Sequence, residues 1–306
     1  MDAPVALILF NRPEATARVF AAIRAAAPPR LLLIADGPRA GRPGEAELCR
    51  ATRAVTEAID WPCMVERNFS DINLGCGHRV SSGLDWVFDQ VPEAIVLEDD
   101  CLPDPSFFAY CDALLARYRD DPRVALVTGT SFRTVPMRTG DSYYFSRYPM
   151  VWGWASWRRA WRHYDFRMKF WPELKAGRWL DDLLDDPAAV RFWSRLFDRV
   201  AAGEIDTWDY QLVCSLWAQG GLTVAPRNNL VQNIGFGPDA THTTGAGDTG
   251  AQRPVEAIEL PLRHPRFVIR DAHIDRALEH TQFSGTRAHG QRIKRRIDRL
   301  VRRKTL

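Results

Sequence analysis

Apolar runs recur at a regular beat through the first 130 residues. Residues 5–10, 31–35, 94–97 and 124–127 are nearly continuous in Val, Ile, Leu, Ala and Phe, as strands buried on both faces are, and residues 63–67 form a weaker member of the series. Between these runs the apolar residues repeat at helical spacing. Val19, Phe20 and Ile23 follow the first strand, Leu48, Val55 and Ile59 the second, Val80, Leu84 and Val87 (within 78–89) the third, and Phe108, Cys111 and Leu115 the fourth. Asn11 is placed to cap the first of these helices ahead of Pro13 and Glu14, and Asp104 to cap the last ahead of Pro105. Strand–helix alternation of this kind predicts an α/β fold, a mostly parallel Rossmann-like sheet with helices on both faces. In such sheets ligands bind at the carboxyl ends of the strands.

Two acidic sites close strands on that rim. Asp36 precedes Gly37 and Pro38 at the end of the second run, and Glu98, Asp99 and Asp100 end the fourth. No GxGxxG follows the first strand, Gly75-Cys76-Gly77 meets Val80 where a third glycine would stand, and no GxxxxGK[ST] occurs, so phosphates have to be held in another way. Carboxylates clustered at a rim are the usual protein share of an octahedral Mg2+ or Mn2+ site, whose other ligands are water and phosphate oxygens. A solvated acidic turn is the plain alternative. The buried strand ahead of the acids, and Asp36 on the same rim, favour the metal.

The second half is richer in aromatic and small residues. Residues 149–161, "PMVWGWASWRRAW", are dense in tryptophan, which suits either a buried second layer or a platform for sugar rings. Asp206 and Asp209 lie in "EIDTWDYQLVCSLW", where Asp209 either caps the helix through Leu212, Val213 and Leu216 or serves as a base. Residues 237–254 are rich in Gly and Thr without apolar period and read as a mobile lid containing His242.

With these residues in view, "VLEDDCLPDPSFF" resembles the metal-binding segment of the N-acetylglucosaminyltransferase I family, and "LILFNRPEATARVF" resembles that family's first strand and Asn-Arg turn. The resemblance covers the first 130 residues well and the second half in patches. It implies a GT-A fold in which Arg12 approaches the donor phosphates, Asp36 and His78 contact uracil, Glu98 and Asp99 face ribose and sugar, and Asp100 binds Mn2+. The alignment of His78 takes a one-residue gap. By the same resemblance, Gly153 and Trp154 contact donor or acceptor, and Trp208-Asp209 matches the pair that carries the catalytic base. Asn233, Gly235, Phe236 and Gly237 match the turn before the family's flexible loop, while His242 is the late histidine that such transferases bring to the metal.

Composition narrows the rest. The 306 residues are 46% hydrophobic and 26% charged, ample for a sizeable core, and no run approaches the ~20 apolar residues of a membrane span. The six cysteines show no CxxC pairing or metal-ligand spacing, which suits a reducing cytosol. The net charge of +3 conceals a local +7 over residues 291–304, so that the other residues together carry −4. This distribution argues against a nucleic-acid groove. In the basic stretch Ile293, Ile297, Leu300 and Val301 form one apolar stripe, the pattern of an interfacial helix at an anionic membrane surface. The expected organisation is a nucleotide-sugar and metal half (1–130), an acceptor-binding and catalytic half of the same domain (131–290), and the basic tail (291–306). The expected activity is an inverting, metal-dependent transfer of a sugar from a UDP-sugar, with UDP-N-acetylglucosamine favoured by the resemblance, to a glycan or lipid-linked acceptor at the inner face of the membrane. Two other readings compete. A non-catalytic carbohydrate-binding protein leaves the acidic rim without a purpose, and a sugar nucleotidyltransferase should carry a Gly-rich loop after the first strand, where "FNRPEA" has no glycine.

Overall fold

A computed structural model describes residues 1–235 and 253–283. The first half builds β1 (Val5–Leu9), α1 (Pro13–Ala26), β2 (Arg30–Ala35), α2 (Glu45–Val55), β3 (Met64–Phe69), α3 (Cys76–Gln90), β4 (Glu93–Glu98), β5 (Cys101–Pro103), α4 (Ser106–Tyr118) and β6 (Val124–Thr128). The second adds β7 (Tyr143–Ser146), β8 (Trp154–Trp157), α5 (Arg158–Trp161), α6 (Trp171–Ala176), α7 (Trp179–Leu183), α8 (Pro187–Ala201), α9 (Asp209–Ala218), β9 (Leu222–Pro226), β10 (Val231–Asn233) and α10 (Ala272–Leu278), which runs on into a π-helical turn, Glu279–Phe283.

Eight strands form one sheet in the order β3-β2-β1-β4-β8-β6-β9-β7. The pairs among β1 to β4 are all parallel, and β8 runs antiparallel between β4 and β6. A strand of the second half therefore lies inside the sheet of the first, so the two halves share a single framework. The expected mostly parallel α/β sheet is what forms. The apolar runs explain why: β1 and β2 are buried on both faces, and alternate residues of β1 serve two cores. Val5, Leu7 and Leu9 pack with Val19, Phe20 and Ile23 of α1 and with Phe107, Leu114 and Leu115 of α4. Ala6 and Ile8 face the other way, onto Val80, Leu84 and Val87 of α3 and Leu212 and Leu216 of α9. A third, aromatic cluster around Tyr148, Trp193, Phe197 and Trp217 lies under the second half.

Two helix starts differ from expectation. The N-cap of α1 is Arg12, and the Asn11 amide instead donates to Glu45 Oε1 at 3.1 Å, because Glu45 and Arg39 offer it a charged partner across the turn. At α4, Asp104 Oδ1 does accept from the Ser106 N–H and hydroxyl, at 2.8 and 2.5 Å, although the helix proper starts only at Ser106.

Candidate active site

The carboxyl ends of β1, β2 and β4 open into a cavity of about 830 Å3, whose other walls come from α3, α8 and the turn that starts α9. The acids at its rim are set by backbone geometry. Glu98 is the last residue of β4, and Asp99 and Asp100 form the turn into β5. Asp99 Oδ2 accepts from Phe10 N at 3.1 Å, which ties the turn to the end of β1. The Asp100 carbonyl accepts from Ile234 N at 2.8 Å, where β10 has just paired with β5. Gly235 follows at very close range, and a Cβ there would overlap Asp100 Oδ2. The glycine is thus required by the acid. Arg12 lies 2.5 Å from Asp100 Oδ2 and 3.5 Å from Asp99 Oδ1.

One guanidinium among three crowded carboxylates leaves excess negative charge. Burial, reinforced by Asp100 and Asp99 and then by Asp209, pushes the Glu98 carboxyl well above the usual range, with Arg12 opposing. Asp99 is pushed up to about 7 by burial and the Asp100 charge, against Arg12 and the Phe10 N–H. A divalent cation is the ordinary remedy for such a set. Among the described residues no three His, Cys, Asp or Glu side chains group as metal ligands. The rim acids can give an ion one or two carboxylates, the remainder of its shell being water and phosphate oxygens, which is the way Mg2+ and Mn2+ are commonly held. They do not make a closed protein cage.

The second half delivers Asp209 to the same cavity. Asp209 opens α9 without capping it: the cap residue is Trp208, no side chain caps the helix, and the Thr207 hydroxyl donates to Asp209 Oδ1. Trp208 is buried and stacks on Trp154, with centroids 5.8 Å apart and planes at 25°. Asp206 does act as a cap, but of a helix 130 positions away in sequence. Its two carboxylate oxygens accept from Cys76 N at 3.0 Å and Gly77 N at 2.8 Å, at the start of α3. Gly75 has φ +80, and a Cβ on Gly75 or Gly77 would stand 2.8 Å from an Asp206 oxygen, so the Gly-Cys-Gly stretch is a seat for Asp206.

Several expected contacts are placed otherwise. Asp36 lines the cavity, yet its carboxylate is engaged by Gly37 N, Leu74 N and the Asn73 amide, all at 2.9 Å, and burial pushes its pKa up. His78 does not line the cavity; it is exposed on α3 and packs against Phe166 at 4.3 Å, because its position turns it off the face that Cys76, Arg79 and Val80 present. Trp154 is a core residue, 1% exposed between Trp161 and Trp208, since β8 is an interior strand. Gly153 has φ +63, and a Cβ there would stand 2.7 Å from Val231 Cγ2, so packing against β10 by itself requires the glycine. Trp152, two residues before the start of β8, is the tryptophan of this stretch that reaches the cavity. Asn233 and Gly235 line it as well, joined by a Gly235 N to Asn233 Oδ1 bond of 2.8 Å. Phe236, Gly237, His242, nearly all of the 237–254 stretch and the 291–306 tail lie outside the described residues.

No protein-family model matches the chain, and no curated protein matches it either. Among solved structures it is similar to inositol-1-phosphate CTP transferase from T. maritima (TM-score 0.37, 10% identity, covering 73% of this chain and 85% of that one). A second is 4-diphosphocytidyl-2C-methyl-D-erythritol synthase from Anaerococcus prevotii (TM-score 0.36, 8% identity, 73% and 88%). A third is mouse xyloside xylosyltransferase 1 (TM-score 0.32, 12% identity, 71% and 82%). Similarities this distant say nothing of the chain's chemistry.

Proposed function

We propose that the chain is an inverting, metal-dependent glycosyltransferase that moves a sugar from a nucleotide diphosphate donor, a UDP-sugar, to a hydroxyl of a glycan or lipid-linked acceptor. The observation that supports it is a single cavity in which the Glu98–Asp100 rim and Arg12 from one half meet Asp209 from the other. Asp100, with water and phosphate oxygens, would hold Mg2+ or Mn2+. When bound, that ion neutralises charge developing on the departing diphosphate. Arg12 adds positive charge on the same side and keeps Asp99 and Asp100 in place.

Asp209 is the general base. Its carboxylate takes the proton of the acceptor hydroxyl as that oxygen bonds to the anomeric carbon; the bond from that carbon to the diphosphate breaks on the opposite face, and the proton passes afterwards to water. The rim acids are poor candidates for this task because they belong to the leaving-group side. Thr207 and Trp208 fix the direction in which Asp209 points.

The test is nucleotide-sugar turnover with and without Mn2+. UDP should raise the melting temperature in the presence of Mn2+, UDP-sugar should be slowly hydrolysed to UDP and free sugar, and Asp100→Ala should lose Mn2+-dependent UDP binding while remaining folded. Formation of a UDP-sugar from a sugar phosphate and UTP, with release of pyrophosphate, would overturn the reading in favour of a nucleotidyltransferase. Sugar binding indifferent to nucleotide and metal would reduce the protein to a carbohydrate-binding module.

A further inference from the structure

Helix α8 carries two apolar stripes: one sits in the aromatic core of the second half, and the other lies at the edge of that core, where Leu196 packs against it. Ala189, Trp193, Phe197 and Val200 point into the aromatic cluster of the second half. Phe192 and Leu196, four positions apart on a neighbouring stripe, line the cavity, with Phe192 left 38% exposed. Ile205 and Tyr210 continue this wall on either side of Asp209 in the chain. Its charged group, Arg199, is already 3.0 Å from Glu204. The cavity is therefore bipolar, with carboxylates and the arginines Arg12, Arg39 and Arg79 on the side of the strand ends and an apolar surface beside the residue that receives the acceptor hydroxyl.

We infer that the Phe192–Leu196 stripe is an acceptor subsite and that the acceptor is a sugar carried on an aliphatic chain. The inference rests on the reading of Asp209 as base, since whatever presents a hydroxyl to Asp209 lies against this wall. The diphosphate of the donor is anionic and gains nothing here. A free oligosaccharide would call for several hydrogen-bonding side chains, and of this wall Phe192, Leu196 and Ile205 have none and Tyr210 a single hydroxyl. An alkyl chain is matched by aliphatic and ring surface and by little else. The sequence agrees, because the basic amphipathic stretch 291–304 has the composition of a segment that meets anionic lipid.

The experiment compares octyl with methyl glycosides of the same sugars, below the micellar concentration, on the full chain with UDP and Mn2+ present. Binding is read by tryptophan fluorescence and transfer by product formation. The octyl member of at least one pair should bind roughly tenfold more tightly than its methyl partner, the effect of burying a few methylene groups. Phe192→Ser and Leu196→Ser should each remove most of that advantage and leave UDP affinity unchanged. Trp179→Ser removes an aromatic that is 56% exposed but does not line the cavity, and should keep the advantage in full. Equal binding of octyl and methyl glycosides, or an advantage that survives both α8 substitutions, overturns the inference. Nitrophenyl glycosides binding as well as octyl ones would overturn the aliphatic assignment in favour of an aromatic carrier. Failure of UDP and Mn2+ to bind at all counts against the glycosyltransferase reading itself, and is seen separately.

Discussion

Two clusters in this molecule each gather three acids, and they differ in how many arginines answer them: one at the rim, three in the other. At the rim Arg12 stands among Glu98, Asp99 and Asp100. In the second half, Arg147 lies 3.6–3.7 Å from carboxylate oxygens of Asp185, Asp275 and Glu279. In this second cluster most of the acid oxygens are engaged, although Glu279 Oε2 is buried without a hydrogen bond. Asp275 accepts from the Ser146 hydroxyl and Arg147 N at 2.5 and 3.1 Å, Glu279 accepts from the Tyr148 hydroxyl at 2.8 Å, and Arg270 and Arg276 supply further charge through Asp185. This network pins α10 and the turn after it against the end of β7, and none of its residues lines the cavity. The rim acids have one cation, few hydrogen-bond donors and an open cavity before them. A count of acids alone is therefore a poor guide to role. What separates a structural ion network from a site prepared for a ligand is whether the charges are already answered by the protein.

The largest effect expected at the cavity is the loss of the base. Asp209→Asn should lower turnover by about 10²–10⁴-fold, the usual contribution of a general base, with UDP affinity in Mn2+ near wild type. Steady-state rates together with calorimetric titration of UDP check this. Retained turnover would move Asp209 to the structural class and remove the inverting mechanism with it.

Deleting a charge from each cluster sharpens the contrast. Arg147→Ala leaves Asp275 and Glu279, whose side chains are 0% and 1% exposed, without their central cation and should cost about 3–5 kcal/mol in urea unfolding at pH 8. Asp100→Ala removes one of several mutually repelling rim acids and should leave stability unchanged or raised. If both variants lose stability alike, the distinction between the clusters fails.

The pH dependence of stability offers a smaller effect with a definite sign. Burial pushes Asp275 from 3.8 up to about 6, against the hydrogen bonds of Ser146 and Arg147 and the Arg147 charge, with Asp271 adding to the rise. Between those values the folded chain holds the proton and the unfolded chain does not. Asp275 therefore contributes stability below about pH 4 that is withdrawn as pH rises to about 6, on the order of 3 kcal/mol, and its contribution is flat above that. Urea midpoints measured from pH 4 to 8 should show this decline in wild type and a shallower one in Asp275→Asn. Identical slopes would mean that the Asp275 carboxyl is not held above its unfolded value.

Much of the first half was legible because its signals are local. Continuous apolar runs such as 31–35 have only one comfortable place, the middle of a covered sheet, and a helical stripe such as Val80, Leu84 and Val87 follows from spacing alone. Acids at strand ends could be placed on the cavity rim by topology. Side-chain direction could not be read in the same way. His78 and Arg79 are neighbours on one helix, yet only Arg79 reaches the cavity, because a rotation of about 100° per residue separates them. Trp152 and Trp154 are likewise divided by the start of β8, which draws the second into the core. The exposure of Phe192 to the cavity left no trace in the sequence, since it depends on how α8 sits against the rest of the second half. The one overlooked signal was Gly75-Cys76-Gly77 ahead of a helix with no capping side chain of its own, which required a partner from elsewhere.

That partner, Asp206, tests the division most finely, for it is a cavity acid whose oxygens are answered by the protein. It lines the cavity three residues before Asp209, but both its oxygens accept from backbone N–H groups of α3. It belongs with the structural acids and acts on chemistry only through position: it ties the 206–209 turn to the first half, so that Asp209 meets the rim at a fixed separation. Asp206→Asn keeps one acceptor oxygen and sets an amide NH2 against the other N–H. The loss of half a cap should cost about 1 kcal/mol of stability. Because the turn stays anchored by the Trp208 stack and by the Gln211 side chain donating to the Thr207 carbonyl at 2.7 Å, turnover should fall only about tenfold, through kcat, with UDP affinity unchanged. Asp206→Ala, which empties the seat, should do more on both counts. A purely structural cap would lower stability and leave kcat of the folded enzyme untouched. If instead Asp206→Asn loses the full 10²–10⁴-fold and Asp209→Asn retains turnover, then Asp206 is the base, and the hydrogen bonds that now engage it must open when substrate binds.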